Sequence, residues 1–390
     1  MPFLYFCLIV RNAGSMKDIK MVDLLGQYQK IEPEIDQKIK EIILSTAFIK
    51  GKEVNDFEIA LADYLNVKHL IACGNGTDAL QIALMGLDLQ PGDEVITVDF
   101  TFAATVEVIK LLGLTPVIIG IDHQTMTMAI DQLKNAITLN TKAIIPVHLF
   151  GQTADMEPIM TLAQKHNLFV IEDTAQALGA EYTFKNGKTK KAGTIGTIGT
   201  TSFFPSKNLG AYGDAGALFT DDEALAKKLK SIANHGMTQR YHYERIGINS
   251  RLDTLQAGIL NIKLNHLDDY QRERQNVADY YDEELRNIKA IEIPYRATYS
   301  SHVFHQYTLK IKDNKRDELK LYLEKHHIPS MIYYPVPLHQ QEAYKDSIFD
   351  VNTLKSTEKL CHSVLSLPIH TEMDNEQLHY ITQTIKNFFN

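Results

Sequence analysis

Lys207 lies in Thr201-Ser202-Phe203-Phe204-Pro205-Ser206-Lys207-Asn208-Leu209-Gly210, ahead of Tyr212-Gly213-Asp214-Ala215-Gly216. A single lysine in a small-residue loop between apolar runs can be held out of water. Desolvation disfavours the ammonium, and a neutral amine is a nucleophile that can form an imine with a carbonyl. The ordinary fate of a lone lysine is an exposed turn. Lys207 gains meaning only if other segments carry matching chemistry.

Four do. In Cys73-Gly74-Asn75-Gly76-Thr77-Asp78-Ala79-Leu80, glycines precede a helical pattern. Backbone N–H groups at a helix start, together with the Thr77 hydroxyl, suit a phosphate. Plain capping by Asn75 or Thr77 would need nothing more. Asp173 ends an apolar run in Ile171-Glu172-Asp173-Thr174-Ala175-Gln176. A carboxylate buried there needs a cationic partner, and a protonated pyridine nitrogen would serve; the bland alternative is a cap on the next helix. Phe102, in Asp99-Phe100-Thr101-Phe102, follows another such run and could stack on a planar ring, although core packing is commoner. Gly247-Ile248-Asn249-Ser250-Arg251-Leu252-Asp253 opens a long helical pattern. A cation at a helix start opposes the dipole, so Arg251 hints at anion recognition.

The elements that must position these residues alternate. Apolar runs at 94–98, 116–119, 143–147 and 168–171 are separated by helical patterns such as Thr77 to Leu87 and Asp155 to His166. Continuous β-branched runs predict strands buried on both faces, in a mostly parallel sheet covered by helices. Ligands in such sheets bind at the strands' carboxyl ends, where these segments fall. Helical patterns follow at 222–234 and 251–285. A strand at 303–311, a helix at 316–325 and a strand at 331–334 then predict a smaller α/β C-terminal domain. The division expected is 1–15 as an extension, 16–270 as a large domain and 271–390 as a linking helix and small domain, with the segment before residue 50 packing on the small domain.

With 390 residues, two domains and a sizeable core are expected. A net charge of -8 argues against a nucleic-acid partner. Cys7, Cys73 and Cys361 form no Cys-x-x-Cys pair, so neither a disulfide framework nor a metal site is indicated, and a reducing cytoplasm fits. The apolar run Phe3 to Val10 is too short to span a bilayer and lacks a basic lead, so no membrane role is expected; Met16 or Met21 could be the start.

Taken together, GNGTDAL, PGDEVI, IEDTAQALGA, SFFPSKNLGAYGDAGALFT and HGMTQRYHYERIGINSRLDTLQAGIL resemble the DegT/StrS-type nucleotide-sugar aminotransferases, from about Ile19 to the C-terminus. The resemblance implies a pyridoxal-phosphate-dependent transferase of fold type I, aspartate-aminotransferase-like. It also implies a homodimer with shared active sites and a role in surface polysaccharide assembly. It assigns Lys207 to covalent attachment of pyridoxal 5'-phosphate, Asp173 to the pyridine nitrogen, Gln176 to the ring's 3'-hydroxyl side and Phe102 to ring stacking. Gly76, Thr77 and Ser202 become the phosphate cradle, and Asn249 reaches the neighbouring subunit's phosphate.

Within the family, RYHYERIGINSRLDTLQA and the turn Tyr334-Pro335-Val336-Pro337-Leu338 are similar to enzymes that aminate UDP-2-acetamido-2-deoxy-3-oxo-D-glucuronate with L-glutamate as donor. That likeness implies substrate contacts at Thr46, Phe48, Ser206, Arg251, Tyr333 and Tyr334. Thr46 stands where a glycine is usual, Phe48 where a tyrosine can donate a hydrogen bond, and Tyr333 where a histidine is common. Two alternatives stay open: a dTDP-linked 3-oxo or 4-oxo 6-deoxyhexose as substrate, and a non-catalytic sensor of the cofactor or sugar nucleotide. A dehydratase subgroup carries histidine where Lys207 stands and is disfavoured.

Overall fold

The computed structural model describes residues 18–390; the expectations for residues 1–15, for Met16 and for Cys7 lie outside the described residues. Seven strands form the main sheet: β1 (His69–Cys73), β2 (Glu94–Val98), β3 (Thr115–Ile119), β4 (Thr141–Ile144), β5 (Phe169–Asp173), β6 (Ile198–Ser202) and β7 (Gly216–Thr220). Their spatial order is β1-β7-β6-β5-β4-β2-β3. Pairing is parallel from β3 through β6, while β7 runs antiparallel to both β6 and β1.

The apolar runs are continuous because each strand faces two cores. Side chains alternate across a strand, so Val95 enters the cluster with Leu80, Ile109 and Leu229, while Ile96 and Val98 enter the cluster with Val147, Ile159 and Val170 on the other face. Helices α2 (Lys52–Leu65), α3 (Gly76–Gly86), α4 (Ala104–Leu111), α5 (Met156–His166) and α6 (Glu223–Ile232) flank this sheet, while α1 (Leu24–Ser45) packs on the helix at 254–264 through Ile31 and Ile35.

The reversed β7 matters to the site. β6 ends, and β7 begins, at the carboxyl edge of the parallel strands. Residues 203–215, Lys207 among them, therefore form a loop whose two ends are anchored on that edge. A parallel β7 would have needed a long crossover instead.

The expected helix over 251–285 is two helices, α7 (Thr254–Leu264) and α8 (Leu267–Leu285). Asn265 and His266 are weak helix formers. Asp268 and Asp269 occupy the first turn of α8, where the dipole favours acids and so a new start. Asn249 and Arg251 accordingly precede a helix rather than opening one. Residues 250–252 are irregular, and Asn249 pairs with Asn234 in an isolated bridge.

Beyond α8, a three-stranded antiparallel sheet contains β8 (Ile291–Glu292), β9 (Tyr307–Ile311) and β10 (Val364–Leu367). The expected strand from residue 303 begins only at Tyr307, because Val303 and Gln306 spend their N–H groups on Gly151 and Phe150 across the molecule. The expected strand at 331–334 is a single bridge at Met331 followed by a turn; the prolines at 335 and 337 cannot donate to a ladder. Helices α9 (Arg316–Lys325), α10 (Lys355–Ser363) and α11 (Asn375–Phe389) complete this part. Residues 18–30 contact it through Gln377 Nε2 to the Asp18 carbonyl, Ile369 N–H to the Met21 carbonyl and the Lys30–Glu372 ion pair.

Candidate active site

The carboxyl edge of the sheet gathers Lys207, Asp173 and the residues that fix them. The Lys207 loop is held from several sides. Inside it, the Lys207 N–H reaches the Phe204 carbonyl at 2.8 Å and the Ala211 N–H the Phe203 carbonyl at 2.8 Å. From α7, Lys263 Nζ donates to the Gly210 carbonyl at 2.6 Å, and Gln256 Oε1 accepts from the Tyr212 N–H at 2.8 Å. Asn208 Nδ2 donates to the Val303 carbonyl at 2.9 Å. A side chain held by so fixed a backbone keeps its aim.

Lys207 shows some surface as a residue, but its ammonium is desolvated. Burial lowers its pKa to about 8, against the opposing pull of Asp173. His305, buried beside this charge, is held well below the usual histidine range by burial, then by Lys207 and by Arg274. Its Nδ1 has no hydrogen-bond partner. A neutral imidazole next to a lysine adds no second positive charge, so the lysine keeps its chance to act as a base.

Asp173 is buried at the end of β5. Its carboxylate accepts from the Thr105 hydroxyl at 2.9 Å and from the Ala175 N–H at 3.2 Å. Among the described residues it makes no ion pair, which leaves a buried carboxylate able to take a cationic ring N–H. The preceding Glu172 points elsewhere. It accepts from the N–H groups of Gly193, Ile195 and Gly196 and from His148 Nε2 at 2.9 Å. His148 Nδ1 accepts from the Ala154 N–H, so the proton of that ring belongs on Nε2. Glu172 and His148 thus fix the strand end that carries Asp173.

The phosphate segment folds as expected and as an ordinary cap at once. Asn75 caps α3 by accepting from the Asp78 N–H at 2.8 Å. Gly76 faces Ser202 so closely that a Cβ there would sit 2.7 Å from the Ser202 Cβ. The α3 N-terminus and Ser202, whose hydroxyl also accepts from the Phe204 N–H at 3.2 Å, therefore lie against each other, and a helix start beside a hydroxyl suits a phosphate. Ser250 closes one side, accepting from the Gly74 N–H at 2.8 Å and donating to Asp78 at 2.5 Å.

Phe102, beyond the end of β2, is 59% exposed. Gln176 is more engaged than the sequence implies. Its Oε1 accepts from the Phe150 N–H at 2.9 Å and its Nε2 donates to the Tyr334 hydroxyl at 3.1 Å, which leaves one amide hydrogen for a ligand. Tyr334 thereby joins the cluster, its phenol pushed above the ordinary range by burial. Tyr333 packs edge-on against Tyr334, and Ser206 adjoins Lys207. Lysine, carboxylate, exposed aromatic ring and phosphate cradle together fit pyridoxal phosphate.

The remaining expected contacts form a second group. Thr46, Phe48 and Asn249 are exposed and Arg251 partly so. The 46–51 segment crosses the 249–254 segment: Ile49 bridges Asp253, and the Thr254 N–H donates to the Phe48 carbonyl at 3.0 Å. Arg251 makes no ion pair among the described residues and lines a cavity of about 190 Å³ with Lys50, Lys230 and Asn234. Thr46 caps α1 in the left-handed region, at φ 55°.

Sequence reasoning missed Thr105, Ser250, His305 and the Glu172–His148 pair. Only Thr105 left a local signal, one helical turn beyond Thr101 and just past a strand end. The other contacts cross the chain.

The family model described as the DegT/DnrJ/EryC1/StrS aminotransferase family matches residues 29–386. The chain is 42% identical to a UDP-2-acetamido-2-deoxy-3-oxo-D-glucuronate aminotransferase of Pseudomonas aeruginosa, across 95% of this chain and 100% of that protein. It is 44% identical to a protein of Geobacillus stearothermophilus named a pleiotropic regulatory protein, across 95% and 99%. The crystal structure of NtdA from Bacillus subtilis with bound PMP is similar at a TM-score of 0.86 and 31% identity, covering 97% of this chain and 86% of that one.

Proposed function

The chain belongs to the DegT/DnrJ/EryC1/StrS aminotransferase family and is an aminotransferase, and from that premise we propose that it moves the amino group of L-glutamate onto a keto nucleotide-sugar. Its cofactor is pyridoxal 5'-phosphate, and its acceptor is UDP-2-acetamido-2-deoxy-3-oxo-D-glucuronate. The observation that carries the cofactor reading is a desolvated Lys207 amine gathered at one sheet edge with the buried Asp173 carboxylate, near enough to feel its charge but not bonded to it. The 42% identity to the Pseudomonas aeruginosa enzyme over nearly its whole length supports the acceptor.

When bound, pyridoxal phosphate supplies an electron sink for the carbanion left as the donor loses its Cα proton. The chain's residues do the rest. Lys207 anchors the cofactor and, once released, carries the proton to and from the reacting carbon. A pKa near 8 lets one amine do both, since it sits close to working pH. Asp173 keeps a proton on the ring nitrogen, and Thr105 holds the carboxylate in place. Phe102 stacks on the ring, and Gly76, Thr77 and Ser202 take the phosphate. Arg251 pairs with a carboxylate of glutamate or of the sugar, since its fork matches that shape.

The same reading makes the working form a homodimer with shared sites. Exposed apolar groups favour it: Leu44, Phe48 and Ile49 on one segment, and Tyr241, Tyr243 and Ile246 on another. Asn249 follows the second of these segments in the chain and is itself exposed, as a residue offered to a neighbour's phosphate would be.

Borohydride reduction of the pyridoxal-phosphate-loaded protein, followed by peptide mass analysis, is expected to fix the cofactor on Lys207. Glutamate should convert the bound cofactor to its amine form, and the 3-oxo UDP-sugar should restore it. Labelling elsewhere, or no conversion by glutamate, overturns the reading. Turnover of a dTDP-linked keto sugar in preference to the UDP sugar would replace the acceptor alone. Labelling of Lys207 without any turnover would favour a sensor.

A further inference from the structure

Asp99, just past β2, is almost completely buried, and its carboxylate takes both of its close hydrogen bonds from His339, with the Thr357 hydroxyl near it. The His339 N–H donates to Oδ1 at 2.9 Å, and His339 Nδ1 donates to Oδ2 at 2.7 Å. The Leu338 N–H adds a longer bond to the Asp99 carbonyl at 3.3 Å, and the Asp99 N–H is tied to the Ile119 carbonyl on β3 at 2.9 Å. On its far side, His339 Nε2 lies 3.4 Å from Glu358 of α10, an ion-pair distance without hydrogen-bond alignment. Gln340 also donates to Glu358, at 3.0 Å.

The next residue beyond β2, Phe100, meets the other end of the same segment. Its ring contacts Tyr334 edge-on at 5.8 Å, and the Tyr334 hydroxyl accepts from Gln176. Asp99 and Phe100 therefore hold the two ends of the stretch from Tyr334 to His339. Pro335 and Pro337 restrict the backbone between them. With both ends fixed and the middle stiff, the stretch has little freedom.

We propose that the Asp99–His339 pair is a clasp that positions Tyr333 and Tyr334 for the incoming sugar nucleotide, without touching it. The inference rests on the reading above that these tyrosines meet the acceptor. His339 acts through the turn, and Asp99 is its anchor on the sheet. The clasp serves acceptor binding more than glutamate chemistry, because Lys207 and Asp173 are held by other contacts.

The test uses the full-length, cofactor-loaded protein with three variants. His339→Leu removes the ring donor, His339→Asn keeps a donor near the Nδ1 position, and Asp99→Asn keeps the shape but loses an acceptor. Loss of a buried, charge-assisted bond should raise the acceptor KM about ten-fold or more in His339→Leu and Asp99→Asn, with glutamate's conversion of the cofactor changed less than about three-fold. His339→Asn should recover most of the loss. Hydrogen exchange in residues 331–341 should accelerate about ten-fold in the first two variants and not elsewhere. Equal losses toward both substrates, as general loosening would give, overturn the clasp, and so does unchanged exchange in 331–341. Exchange is read without any sugar, so it judges the clasp even if the wild type fails to label Lys207 or to turn over, outcomes that count against the proposed function instead.

Discussion

The inner cluster and the outer rim of this site are built on opposite terms. Lys207, Asp173 and Gln176 sit at strand ends or in a loop pinned to them, and their neighbours within one chain hold them firmly. Thr46, Phe48, Asn249 and Arg251 sit where two irregular segments cross, largely exposed and with few side-chain partners. Reaction chemistry needs groups fixed to within a fraction of an ångström, and the sheet edge provides that. Substrate choice tolerates a looser frame, which a second chain can complete. The difference teaches where this molecule can change: the rim can be altered with little cost to the fold, the inner cluster cannot.

The comparison breaks first if the inner cluster proves dispensable. Lys207→Ala should lower transamination by at least about 10³-fold, and Asp173→Asn by a similar order, since under the proposed function each removes a group that acts on the reacting atoms. Steady-state assays with glutamate check this, with circular dichroism to show that the variants fold. Activity within ten-fold of wild type would undo the assignment.

At the rim a smaller effect is expected. Arg251→Ala should raise the KM of the carboxylate-bearing substrate by about 10–100-fold with little change in labelling of Lys207, as loss of one charge-assisted pair implies. Comparing KM for glutamate with KM for the UDP sugar also tells which carboxylate Arg251 meets.

The lysine itself can be titrated. In cofactor-free protein, only the neutral amine attacks. Its burial-lowered pKa of about 8, against 10.5 for an ordinary lysine, makes its neutral fraction at pH 7 about 300-fold larger than that of an ordinary lysine. The attachment rate should therefore rise with pH about ten-fold per unit below pH 8 and level off above it. A profile still climbing at pH 10 would mean an ordinary, solvated lysine.

The smallest effect is expected at Thr46, whose φ of 55° costs a β-branched residue. Thr46→Gly should stabilise the chain by about 0.5–1 kcal/mol, because the left-handed cap suits glycine, measured as a higher denaturation midpoint. Its exposed side chain gives up no packing. A loss of acceptor binding in that variant would show that the threonine was kept for the substrate.

The inner cluster was largely legible in local sequence pattern; the rim residues were named mainly through the family resemblance, and the clasp was not seen. Strand ends announce themselves as apolar runs that stop at a polar residue, so Asp173, Phe102 and the Lys207 loop could be placed from local pattern. The break between α7 and α8 was missed because the charged and apolar spacing runs on through Asn265 and His266, and only their weak propensity marks it. The stretch at 331–334 reads as a strand but spends its contacts on Phe100 and Gln176. Asp99 and His339 are 240 residues apart, and nothing local to either announces the other. Thr46 was visible only as an unexpected residue, and its backbone angle explains why glycine would suit the place.

The central claim is that a fixed inner cluster in one chain works with a rim lent by another, and mixing two disabled variants tests it most directly. Lys207→Ala lacks the amine and keeps the rim; Asn249→Asp keeps the amine and sets a negative charge against the neighbour's phosphate. Each alone should be inactive. After equal mixing and reassortment, half of the dimers pair the two variants and hold one intact site in two, so activity should return to about a quarter of wild type. No recovery, with mixed dimers shown to form by mass spectrometry, would contradict a shared site and return the rim to the chain that carries the lysine.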